Sequence, residues 1–330
     1  MKPRIGIIPG DPSGIGPELT AKLMTSEGVH EAAEILLIGD RCVLELGMEQ
    51  AGADYALVPA GREDWKAPEE GVAWLETETI APEEIEVAKE TTPSGRSVLE
   101  TMDIALEMLQ AGQIDAFVFA PFNKAAMHLA GLTHSDELHY MGEKLGVSDY
   151  LSELNVLDGM WTSRTTSHIA LRDVADTITA ERLNDAVDVI DKTLRRSGVK
   201  RPRISVAALN PHAGDGGNFG REEIDVLRPA VEAMQLRQMP VDGPWPSDTV
   251  FLKLKAKEID AVVTMYHDQG QIALKLLGFD RGVTVQGGIP YPVTTPAHGT
   301  AFDIAGKGEA QVSAMRQAFD IACDMVANWE

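Results

Sequence analysis

Short apolar runs alternate with amphipathic stretches along the whole chain. Ile5–Pro9, Glu34–Ile38, Asp115–Ala120, Thr162–His168, Ile204–Leu209, Ala261–Met265 and Gly282–Gln286 are runs of five to seven residues, the length of buried strands. Between them the apolar positions fall at helical spacing. In Ser97–Gly112 the residues Val98, Met102, Ala105, Leu106 and Leu109 share one face, and in Ala180–Ser197 so do Ala186, Val189, Ile190 and Leu194. Residues 41–52, Glu222–Met234 and 309–328 read as further helices. Residues 53–95 are acidic, rich in Glu and Pro, and predict only short strands and loops. Strict alternation of this kind predicts an α/β protein with a mainly parallel sheet. There is no internal repeat and no low-complexity linker. Two lobes with the chain crossing between them fit this pattern better than two separate beads.

Polar residues gather where the strands end, the edge at which open α/β sheets bind ligands. The first strand runs into Gly10-Asp11-Pro12-Ser13-Gly14-Ile15-Gly16-Pro17-Glu18. Its glycines suggest a phosphate loop, but no Gly-Lys-Ser/Thr follows, and a tight strand-to-helix turn explains them equally well. The strand ending at Ala120 leads to Lys124 and then to His134-Ser135-Asp136-Glu137-Leu138-His139, the densest polar cluster. Three further strands close on a histidine: His168, His212 and His267, the last followed by Asp268. Separations of 44 and 55 residues make no local metal motif. Parallel strand ends converge, however, and three imidazoles with a carboxylate suit a divalent ion that keeps an open position. Neutral imidazole favours zinc and its neighbours over Mg²⁺.

Composition narrows the function classes. With 330 residues and a hydrophobic fraction of 44%, a sizeable core is available. A net charge of −22 disfavours nucleic acid and anionic membrane as partners. Two cysteines, Cys42 and Cys323, make no disulfide framework and suggest a reducing compartment. No run approaches the ~20 apolar residues of a membrane span. The expectation is a cytoplasmic protein acting on a small molecule.

Seven separated motifs, in order, resemble the 4-hydroxythreonine-4-phosphate dehydrogenase family of pyridoxal phosphate biosynthesis (PdxA). They are GDPSGIGPE at 10–18, APFNKAAMHLAG at 120–131, TSHIALRDV at 166–174, LNPHAGDGGNFGREE at 209–223, GPWPSDTVF at 243–251, and YHDQGQIALK at 266–275 with HGTAFDIAGKG at 298–308. The resemblance implies an isocitrate/isopropylmalate-dehydrogenase-like fold of two α/β/α lobes with a cleft between them. One lobe would hold NAD (1–125 plus 275–330) and the other the metal and dimer contacts (126–274). It implies a homodimer with the active site where the subunits meet, and a zinc-like divalent ion on His168, His212 and His267, with Mg, Mn or Co as alternatives. His298, Gly299, Asp303 and Gly306 would bind NAD, with Asp303 facing the adenosine ribose and disfavouring a 2′-phosphate. Lys275 would contact substrate as an acid or counter-charge, and Asp248 is the candidate base or proton relay. The implied reaction oxidises a β-hydroxy acid and then loses CO₂.

The substrate residues depart from the family pattern. Its Asn and Arg positions hold Thr284 and Val293, and its Gly-His-Thr-Glu stretch becomes HSDELH, leaving His134, Ser135 and His139 as candidate contacts. Loss of an Arg–phosphate pair is a large chemical change. A paralogous dehydrogenase for another sugar-acid phosphate (threonate or erythronate type), or for a carboxylated cis-diol, is therefore the alternative. A non-catalytic binding protein on the same fold is a more remote one.

Overall fold

The computed structural model describes residues 2–329. Twelve strands are present among them: β1 Arg4–Ile8, β2 Glu34–Ile38, β3 Leu57–Pro59, β4 Val72–Leu75, β5 Ala116–Phe119, β6 Ser152–Leu157, β7 Met160–Arg164, β8 Ile204–Ala207, β9 Val241–Trp245, β10 Ala261–Thr264, β11 Val283–Gly287 and β12 Val293–Pro296. The chain divides into two compact units. One holds the chain to Ser148, Val283–Val285 and Ile289–Trp329; the other holds Asp149–Gly282 and Gln286–Gly288. The division differs from the expected 125/126 and 274/275. Helices Lys124–Leu129 and Glu137–Lys144 pack on Thr92–Gln110 of the first unit, and helix His267–Gly278 runs unbroken past 275.

In the first unit the strand order is β3-β4-β2-β1-β5-β12-β11. All pairs are parallel except β11 with β12, where Thr284 lies opposite Thr295. Ile5, Ile7, Leu36, Leu37, Phe117 and Val118 are fully buried, as a sheet covered on both faces requires. Strand β12 has no counterpart among the predicted runs; Pro292 and Pro296 mask its β-branched centre. Helix Ser313–Ala327 closes this unit, and Thr294 Oγ1 donates to the Ala318 carbonyl at 2.7 Å.

In the second unit the order is β6-β7-β10-β8-β9. Strands β6 and β7 form an antiparallel hairpin turned at Asp158-Gly159, both with positive φ (50° and 78°). That is the backbone a two-residue hairpin needs. Strand β10 sits between β7 and β8, with Val262 opposite Thr162 and Ser205. The segments after these three strands therefore leave one edge of the sheet.

Candidate active site

Two of the three histidines meet. The ring centroids of His168 and His267 are 5.7 Å apart. Two imidazoles sharing one tetrahedral ion, with Zn–N near 2.0 Å, would place their centroids about 5 Å apart. The observed separation is close to that spacing. Its placement is local in origin. Thr165 and Thr166 continue from β7 and donate their N–H groups to the carbonyls of Thr264 and Met265, locking the two strand exits together. Gln269 braces the second exit, accepting from Met265 N and donating to the Ala208 carbonyl, each at 2.8 Å. His267 Nδ1 contacts Asp268 Oδ1 at 2.7 Å, an outer carboxylate that leaves Nε2 for a ligand.

His212 lies on a different device. Residues His212, Ala213, Gly214, Asp215 and Gly216 have φ of 54°, 53°, 78°, 43° and 66°, one continuous left-handed turn. Its ring is exposed and its aromatic neighbour is Phe219, with centroids 6.3 Å apart. Among the described residues no group of three His, Cys, Asp or Glu side chains stands ready to hold a metal. The expected three-histidine set is thus present as a pair, with the third imidazole on its own loop. Lys275 and Asp248 are both exposed, on helices His267–Gly278 and Ser247–Lys255.

In the first unit, residues 298–310 form a strap. His298 is half-buried; burial holds its imidazole below the usual range, against a contact from its Nδ1 to the Gly299 carbonyl. Asp303 is exposed, and its main-chain carbonyl accepts from Lys307 Nζ at 2.7 Å. Gly306 has φ 78°, a conformation that favours glycine. The motif at 10–18 holds this strap. Ile15 N donates to the Thr300 carbonyl at 3.1 Å, and a Cβ on Gly14 would lie 2.8 Å from Thr300 Cβ. Glu18 Oε1 accepts from Ala310 N (2.8 Å) and Lys22 Nζ (2.6 Å), and Lys22 donates to the carbonyls of Gly308 and Ala310. The tight-turn reading of these glycines is what the backbone shows.

The 134–139 cluster resolves into separate arrangements. His134 Nε2 contacts Glu143 at 2.7 Å. Asp136, buried, caps helix Glu137–Lys144 by accepting from His139 N and also takes His139 Nδ1 at 2.6 Å and Ser135 Oγ at 3.1 Å. Burial alone would raise the Asp136 carboxyl; these bonds outweigh it and hold the group below the usual range. His139 is left half exposed with a fixed ring, and Ser135 is exposed. Asp136 as cap was legible from its type; its grip on His139, three residues on, was not. Thr284 and Val293 are buried on β11 and β12.

Comparisons agree with this architecture. The family described as pyridoxal phosphate biosynthetic protein PdxA matches residues 31–322. A Pseudomonas aeruginosa protein with the provisional name 4-hydroxythreonine-4-phosphate dehydrogenase 2 is 49% identical over 98% of this chain and 97% of its own. The D-threonate 4-phosphate dehydrogenase of Salmonella typhimurium is 36% identical over 97% and 98%. The crystal structure of 4-hydroxythreonine-4-phosphate dehydrogenase from Klebsiella pneumoniae superposes with a TM-score of 0.86 at 34% identity, covering 100% and 99% of the two chains. No helix among the described residues is long and apolar enough to cross a membrane. With a family match across most of its length and relatives well above 30% identity, the chain belongs to the PdxA family of dehydrogenases.

Proposed function

We propose that the chain is a metal-dependent, NAD-linked oxidoreductase that converts a β-hydroxy acid to a β-keto acid and then releases CO₂. The observation that carries this reading is the His168–His267 pair at two locked strand exits, 5.7 Å apart, with Asp268 on the outer nitrogen of one ring. When bound, the ion supplies positive charge that acidifies the substrate hydroxyl and steadies the enolate left by decarboxylation, while NAD⁺ accepts the hydride. The chain's own part is to hold and orient. His168 and His267 would hold the ion, Asp268 and Gln269 fix the second ring's presentation, and the 298–310 strap would seat the dinucleotide with Asp303 toward its ribose hydroxyls. Lys275 and Asp248 remain the proposed acid and base, and His134 and His139 the candidate substrate histidines, the ring of His139 being fixed by Asp136.

The working unit in this reading is a homodimer with its active sites where the copies meet. The described surface supports it. Of the ten large apolar side chains that are exposed, eight lie in the second unit, and Ile169, Leu171, Phe219, Ile272 and Leu276 flank the three histidines in sequence. Apolar side chains exposed beside the candidate ligands in sequence are what a second copy would cover. Sedimentation of a monomer at working concentration would remove this part of the reading.

Two substrates compete. Relatives named for 4-hydroxythreonine 4-phosphate and for D-threonate 4-phosphate both act on phosphorylated acids. Val293, fully buried and apolar, favours the second reading, a paralogue whose substrate end is recognised without the family's Arg. The test is NADH formation with zinc or manganese present, on 4-phosphohydroxy-L-threonine beside non-aminated hydroxy acids, phosphorylated and not. Turnover of the first supports the biosynthetic substrate; activity only elsewhere in the panel supports the paralogue; no activity anywhere refutes the dehydrogenase reading.

A further inference from the structure

We propose that Glu223 is a positioning residue for His212: its side chain fixes the root of the left-handed loop and so sets how that imidazole is offered to a divalent ion. The inference rests on the metal reading above. Glu223 is fully buried, and no Lys or Arg pairs with it among the described residues. What stabilises it is a set of N–H donors. Oε1 accepts from the main-chain N–H of Leu209 (2.9 Å) and of Asn210 (2.8 Å); Oε2 accepts from Asn210 Nδ2 (3.0 Å). These donors follow one residue after the end of β8, three and two residues before His212. Asn210 is held a second time, by Glu222 Oε2 at 2.6 Å.

The loop then wraps the same carboxyl. A Cβ on Gly214 would lie 2.7 Å from Glu223 Oε2, and one on Gly220 would lie 2.4 Å from Asn210 Nδ2. Both glycines also have positive φ (78° and 132°), where a side chain is strained whatever the space. Three residues of the turn, His212, Ala213 and Asp215, are not glycine, and L-residues are disfavoured in the left-handed region. An exposed loop carrying that much strain relaxes unless something else determines its course. Glu223 is the buried group placed to do so. A general stabilising role alone would not require the anchor to sit at the entry of the one strained segment that carries a predicted metal ligand.

The test is zinc affinity of the full-length protein, by calorimetry or chelator competition, on wild type, Glu223→Gln, Glu222→Gln and His212→Ala. A Gln at 223 keeps one acceptor but sets its amide nitrogen against Asn210 Nδ2. The expected result is a 10- to 100-fold weaker Kd for Glu223→Gln, the range typical of outer-sphere changes, with faster hydrogen exchange at the Leu209 and Asn210 amides. Glu222→Gln, which touches only the Asn210 side chain, should stay within about 3-fold. Wild-type affinity in Glu223→Gln overturns the proposal. Wild-type affinity in His212→Ala overturns it together with the ligand role of His212, and no zinc binding by wild type overturns the metal reading itself. Should Glu223→Gln fail to fold, Gly214→Ala strains the same contact from the other side and is expected to lose affinity by a similar factor; unchanged affinity in that variant overturns the proposal as well.

Discussion

The two candidate loops are anchored by the same residue type used in opposite ways. Residues 298–310 are held by Glu18 and residues 209–220 by Glu223, each glutamate fully buried near the start of a helix. Glu18 works with a cation: Lys22, four residues on, sits 2.6 Å away and takes the carbonyls of Gly308 and Ala310, while Glu18 takes Ala310 N. Glu223 takes N–H donors alone. The difference follows from what each segment presents. A strap offering carbonyls needs a donor, which a carboxyl cannot be when ionised, so an ion pair is required. A loop root offering amides needs only acceptors. The backbones differ accordingly: positive φ occurs at Ala301, Gly306 and Gly308 in the first, spread out, and at six consecutive residues, His212 to Gly217, in the second.

The largest expected effect separates these designs. Lys22→Met leaves Glu18 buried with one main-chain donor and frees two carbonyls. Removing one partner of a buried pair costs about 3 kcal/mol or more, so urea unfolding should show a loss of that order, with NAD affinity falling as well. A loss below about 1 kcal/mol would mean the ion pair is incidental and the strap is held by packing. In the second unit the counterpart is functional: His168→Ala or His267→Ala should abolish stoichiometric metal binding while leaving the melting curve of the metal-free protein nearly unchanged. Full metal occupancy in either variant would break the pairing of the two rings as a site.

How much of this was legible follows the same division. Runs such as Ile5–Pro9 and Ala261–Met265 announced buried strands because both sheet faces are covered and the apolar signal is continuous. The histidines at strand exits were visible because sequence order and parallel topology put them on one edge. The hairpin of β6 and β7 was missed, although Asp158-Gly159 is a strong two-residue turn signal; β7 overlaps the run Thr162–His168, but mixed polarity in Ser152–Leu157 hid its partner β6. Strand β12 was hidden by its prolines. Glu18 and Glu223 were invisible as anchors because their partners are main-chain groups. For Glu18 the partner chain segment lies nearly 300 residues away, and an N–H has no sequence signature.

A third buried carboxyl sharpens the comparison. Asp11 is fully buried, accepts from Ser13 N at 2.8 Å, and has no partner for Oδ2. Burial, with Glu90 nearby and only partly offset by the Ser13 bond, pushes its pKa up to about 6. The folded state therefore binds the proton more tightly than the unfolded chain. That raised value lowers stability as pH rises from about 4 to about 6, and the cost persists above. Asp11→Asn should remove it. The variant's stability relative to wild type is expected to improve by about 2 kcal/mol between pH 4.5 and 7.5, read from paired melts. A pH-independent difference would show that Asp11 is partnered after all, as Glu18 and Glu223 are.

The smallest expected effect asks whether the strap's exposed face does what its buried side prepares. Among the described residues Asp303 makes no fixed side-chain contact that would explain it structurally, and its main-chain carbonyl already serves Lys307. If its carboxylate meets ribose hydroxyls, Asp303→Ser exchanges a charge-assisted hydrogen bond for a neutral one and removes the repulsion of a 2′-phosphate. Each contribution is worth about 1.5 kcal/mol, so the NAD:NADP ratio of kcat/KM should fall by about 10- to 100-fold with little change in melting temperature. An unchanged ratio would move the choice of cofactor to another residue, and would leave the Glu18–Lys22 anchor holding a strap whose cargo is not the adenosine ribose.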